Sequence, residues 1–70
     1  MMKDLVAAVR AHGIENYYND GWDIVTESYD DAQITKAIGT ARTNATAIKN
    51  VARVLNDVDD YRKEIQSTYF

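Results

Sequence analysis

Apolar residues recur along this chain at intervals of three and four, and almost nowhere in strict alternation. Met2, Leu5, Val6, Val9 and Gly13 share one helical stripe, and Tyr17 extends it, so the spacing predicts a first helix over residues 2–19. Asp4 falls in its first turn, where a negative charge complements the helix dipole. Gly13 sits inside the pattern at a cost of roughly 1 kcal/mol relative to Ala, which allows a break near His12-Gly13. Asn19-Asp20-Gly21 reads as a stop, with Gly21 free to adopt the left-handed conformation that ends helices.

Trp22-Asp23-Ile24-Val25-Thr26-Glu27 has the β-branched content of a strand, but the chain offers no second strand to pair with it. A short helix or an extended connector is expected there, with Trp22 in the core. Asp30 or Ser28 caps a third segment, Asp31 to Ile38, whose apolar edge is Ile34 and Ile38 with Ala37 beside them, and Gly39 closes it. The clearest pattern comes last. Ala41, Ala45, Ile48, Val51, Ala52, Leu55, Val58, Tyr61, Ile65 and Tyr69 repeat every three or four residues and predict a helix from about Thr43 to Thr68. Its length would be on the order of 40 Å. Arg53 with Asp57, and Asp59 with Lys63, are expected as i, i+4 pairs on its solvent side.

The expected architecture is therefore all-α, a single helical domain over residues 1–70 with three or four helices and the long C-terminal one as spine. The expected core is Leu5, Val9, Trp22, Ile34, Ile38, Ile48, Val51, Leu55 and Val58.

Composition narrows what such a bundle can be. At 70 residues, with no Cys and a single His, neither disulfides nor a metal cluster is expected to reinforce the core, and no cofactor is expected. A core of this size rarely supplies more than about 3–5 kcal/mol, so burial against a partner or a second copy is the natural supplement. In a homodimer the seam would be Tyr61, Ile65, Tyr69 and Phe70. No apolar run exceeds the five residues Leu5 to Val9, so no membrane span is expected. No segment resembles a secretion leader, and a cytoplasmic protein is expected.

The formal charge of −3 is unevenly distributed. Between Ile14 and Asp31 lie the acids Glu15, Asp20, Asp23, Glu27, Asp30 and Asp31, with no Lys or Arg, interleaved with Tyr17, Tyr18, Trp22 and Tyr29. Aromatic side chains give large contact area at low entropic cost, and surrounding acids steer a basic partner. A protein-binding surface of Tyr17, Tyr18, Asp20, Trp22, Asp23, Tyr29, Asp30 and Asp31 is one reading. The other is that the aromatics are core mass and the acids ordinary solvated residues.

From Thr40 to Asn56 the charged residues are Arg42, Lys49 and Arg53, all basic. Helix, Gly-containing turn and helix follow one another here, and Arg42, Asn44, Lys49, Asn50 and Arg53 are residue types that contact phosphates and base edges in helix-turn-helix proteins. The overall acidity and the nearby Asp57, Asp59 and Asp60 weigh against that alternative.

Catalytic chemistry finds little footing. His12, Ser28 and Ser67 lack any triad context. Asp57-Val58-Asp59-Asp60 lacks the Gly and Glu that a calcium loop places at its sixth and twelfth positions. The glycines are isolated, so no phosphate-cradling loop forms. A non-enzyme is expected.

One extended pattern is familiar: Gly21-Trp22-Asp23-Ile24-Val25, Glu27, Asp30-Asp31, Ile34, Ile38-Gly39, Ala41-Arg42-Thr43, Ala47-Ile48 and Val51. Spread over about residues 5–65, it resembles small uncharacterised proteins of actinobacterial bacteriophages and prophages. The resemblance carries over no functional residue. It implies a context in which small accessory proteins bind and redirect a host protein or regulate phage genes. The leading expectation is a non-enzymatic interaction protein that binds a host protein or a second copy of itself. DNA regulation and structural dimerisation are the alternatives.

Overall fold

A computed structural model describes the backbone of residues 1–68 and the side chains of residues 1–58. Four helices follow in order: α1 (Met2–Glu15), α2 (Trp22–Glu27), α3 (Asp31–Ile38) and α4 (Asn44–Thr68). The described backbone contains no strand, and the all-α bundle is as expected. The molecule measures 45 × 22 × 18 Å.

α1 turns Leu5, Val6, Val9 and Gly13 inward. It ends earlier than its stripe predicts. Asn16 terminates it: the backbone N–H and the side-chain Nδ2 both donate to the His12 carbonyl, at 3.0 and 2.9 Å. The chain then turns through Asp20 (φ 51°) and Gly21 (φ 81°), two consecutive left-handed residues that no helix can contain. Tyr17 therefore leaves the stripe.

Gly21 begins α2, and Trp22–Glu27 resolves as a helix. Its β-branched residues are overruled by burial: Trp22, Ile24 and Val25 all enter the core. Gly13 faces this helix. A Cβ there would lie 3.4 Å from the Thr26 methyl and 3.6 Å from the Trp22 ring, at ordinary contact distance.

α3 starts with a complete capping box. Asp30 Oδ1 accepts from the Gln33 amide at 2.8 Å, and Gln33 Oε1 accepts from the Asp30 amide at 2.9 Å. Gly39 (φ 63°) ends it, and Thr43 caps α4 by accepting from the Thr46 amide at 3.2 Å.

α1 packs against all three other helices, and α3 packs against α4. Of the expected core, Leu5, Val9, Trp22, Ile34, Ile38, Val51 and Leu55 are buried. Ile48 and Val58 are only half-buried against it. Val6, Ile24, Val25, Ala41 and Ala47 complete the core. On α4 the innermost row is Ala47, Val51 and Leu55, a pure i, i+4 series, while Ala45, expected on the stripe, is exposed.

Arg10 ties the smaller helices to α1. Its guanidinium donates to Asp31 Oδ1 (Nε at 3.0 Å, with Nη2 on the same oxygen) and to the carbonyls of Val25 (3.4 Å) and Tyr29 (3.3 Å). One side chain thus occupies acceptors at the end of α2 and the start of α3. It is the one ion pair among the described residues. Arg53 and Asp57 do not pair, and the expected Asp59–Lys63 pair lies outside the described side chains.

Candidate functional site: an acidic and aromatic corner between α1 and α2

The early stop of α1 creates the corner. Because the chain leaves the helix at Asn16, Tyr17 and Tyr18 fall on the turn that follows it. Their rings meet edge to face, with centroids 5.0 Å apart and planes at 84°. Tyr18 is 94% exposed. Ile14, one turn back on α1, is 69% exposed. Tyr17 is half-buried, and its hydroxyl donates to the Glu27 carboxylate across the gap to α2. That bond favours the neutral phenol and, with smaller contributions from desolvation and from the charges of Glu27 and Asp23, pushes Tyr17 up from 10.0 to about 12.

Tyr17, Tyr18 and Asp23 line a shallow hollow of about 350 Å³. The Asp23 main-chain carbonyl accepts from the Thr26 hydroxyl at 3.0 Å, but its carboxylate has no partner among the described residues. Asp20 lies exposed on the same turn.

The structure separates the other residues of the acidic stretch. Trp22 is 4% exposed and meets the His12 ring edge-on at 4.5 Å, so it is a core residue and no anchor for a partner. Tyr29 is half-buried and lines a different hollow with Gln33, Lys36, Ala37 and Val54. Asp30 is committed to the α3 cap and Asp31 to Arg10. The binding surface read from the sequence thus contracts to Tyr17, Tyr18, Asp20 and Asp23. It also gains Glu27 through the Tyr17 bond, and the exposed Ile14 stands one turn before Tyr18 in the sequence. Ile14 was visible in principle: it is a large apolar residue one position off the buried stripe.

The basic stretch is likewise divided. Arg42, Asn44, Lys49 and Arg53 are exposed, but Asn50 is half-buried and its Nδ2 donates to the Ile38 carbonyl at 2.8 Å. Asn50 closes the end of α3 and is not free to read a base. Tyr61, Ile65, Tyr69 and Phe70 lie outside the described side chains.

A further hollow, about 530 Å³, lies between α1 and α3 and is lined by Met2, Lys3, Val6, Ala7, Arg10, Asp31 and Thr35. Among the described residues no three His, Cys, Asp or Glu side chains gather as a metal site. No described helix is long and apolar enough to cross a membrane. No family model, curated protein or solved structure matches the chain.

Proposed function

We propose that this is a non-enzymatic interaction protein that docks another protein through the corner formed by Ile14, Tyr17, Tyr18 and their acids. The observation that carries the reading is Tyr18: a 94% exposed ring set edge to face on a tethered Tyr17. Exposed apolar side chains held in a fixed arrangement are what an interface requires. Tyr anchors gain contact area with little rotamer entropy left to lose. Asp20, Asp23 and Glu27 supply a negative rim that steers a basic partner. This agrees with the host-directed accessory role implied by the likeness to phage proteins.

The test is capture of partners from a lysate of the native host with parallel variants. Ile14→Asp and Tyr18→Ala each abolish recovery of a specific partner, whereas Lys49→Ala and Arg53→Ala do not. All four positions are exposed, so the fold survives the changes. The reverse pattern, together with salt-dependent DNA binding lost in the Lys49 and Arg53 variants, overturns the proposal in favour of DNA recognition. A partner that survives all four changes also overturns it.

A further inference from the structure

The corner has a chemistry that selects what enters it. Tyr17 and Tyr18 stand at 84° to one another, and both line the hollow with Asp23. Tyr17 is pinned by its hydroxyl bond to Glu27, which fixes one wall and keeps a second carboxylate beside it. The Asp23 carboxylate is a free acceptor among the described residues. No Lys or Arg occurs between Ile14 and Asp31. Arg10, the nearest cation in sequence before that stretch, is occupied by Asp31 and the carbonyls of Val25 and Tyr29. Among the described residues, the hollow therefore combines two tyrosines with a carboxylate that no cation pairs.

Resting on the docking role above, we propose that the Tyr17–Tyr18–Asp23 hollow is a seat for an arginine side chain of the partner. A guanidinium is planar and weakly hydrated, so it can lie flat on an aromatic face and still point its N–H fork at a carboxylate. The seat provides both: the exposed Tyr18 ring as platform and Asp23 as acceptor. A lysine ammonium, compact and strongly hydrated, gains the charge but not the stacking or the fork. A hollow of about 350 Å³ open to solvent suits one such side chain rather than a large ligand.

The experiment is an NMR titration of the isotope-labelled full chain with N-acetyl-arginine amide, its lysine counterpart and its neutral citrulline counterpart, at equal ionic strength. The arginine compound shifts the signals of Tyr17, Tyr18 and Asp23. The lysine compound binds there about fivefold more weakly, and the citrulline compound produces no saturable shift. Asp23→Asn and Tyr18→Phe separate the two contributions: the first weakens arginine binding by about fivefold, the second leaves it within about twofold because the ring remains. Tyr18→Ala abolishes the preference for arginine over lysine. Shifts spread evenly over Asp20, Asp30 and Asp57, or equal response to arginine and lysine, overturn the seat, as does no response. If the seat fails while Ile14→Asp still abolishes partner capture, the arginine assignment falls and the docking role stands. If the seat holds but capture ignores Ile14 and Tyr18, the docking role falls.

Discussion

The acidic stretch from Ile14 to Asp31 and the basic stretch from Thr40 to Asn56 are near-opposites in charge, and the fold treats them differently. In the acidic stretch a turn interrupts the helix, and the polar groups split between structural duty and solvent. Asp30 caps α3 and Asp31 holds Arg10, while Asp20 and Asp23 have no such role. In the basic stretch a regular helix begins. Thr43 caps it, Asn50 fastens it to α3, and its cations Arg42, Lys49 and Arg53 are exposed. A charged run in a sequence thus marks a segment, but capping and packing decide which of its residues remain for a partner. Of the described residues of these two stretches, those of the acidic corner combine free charge with exposed aromatic and aliphatic surface.

The sharpest break in this comparison lies within the acidic stretch. Trp22→Ala removes a core ring and costs about 3–5 kcal/mol, as much as a chain this short can lose. The cooperative thermal transition seen by circular dichroism should disappear, whereas Tyr18→Ala leaves it in place. The two aromatics, four positions apart, have opposite duties.

Next come the polar residues assigned to structure. Asp30→Ala removes half of the capping box and destabilises by about 1 kcal/mol in urea unfolding. Asn50→Ala leaves the Ile38 carbonyl with only the longer bond from the Ala41 amide (3.3 Å), at a cost of about 1 kcal/mol, while its neighbour Lys49→Ala stays within about 0.5 kcal/mol. Equal effects at Asn50 and Lys49 would erase the distinction between the fastened and the free face of α4.

Gly13→Ala acts in the other direction. The added methyl meets the Thr26 methyl and the Trp22 ring at normal contact distance, so the gain in helix propensity prevails. A stabilisation of about 0.5–1 kcal/mol is expected from the urea midpoint. Gly13→Leu has no room for its larger side chain against α2 and destabilises.

The smallest effect is a titration. Tyr17 ionises at about 12, above its ordinary 10.0. The neutral phenol is the form the fold prefers, so its contribution is complete below pH 10 and is lost as the pH rises through about 12. Glu27→Gln removes the carboxylate acceptor and its charge, and should bring Tyr17 back toward 10, read as the difference in ultraviolet absorbance between chains with and without Tyr17→Phe.

Local chemistry made much of the fold legible before any coordinates. The α3 boundaries follow from Asp30 and Gly39, and the start of α4 near Thr43 follows from its apolar period. The core residues Leu5, Val9, Ile34, Ile38, Val51 and Leu55 follow from the same period. The candidate site was half legible. Its charge and its tyrosines stood out, and a core place for Trp22 and a capping duty for Asp30 were open readings, but Tyr29 and Asp31 could not be told apart from Tyr18 and Asp23 by type or spacing.

The sequence by itself determined that this chain is helical and where most of its helices begin and end, because caps, left-handed glycines and period are interactions between residues a few positions apart. Tertiary structure decided the rest. It drew Ile24 and Val25 into a helix. It rotated α4 so that Ala47 rather than Ala45 faces inward, and it left Tyr18 outside. Each of those outcomes depends on which neighbouring helix is present to cover a side chain, and residues distant in sequence supply that cover.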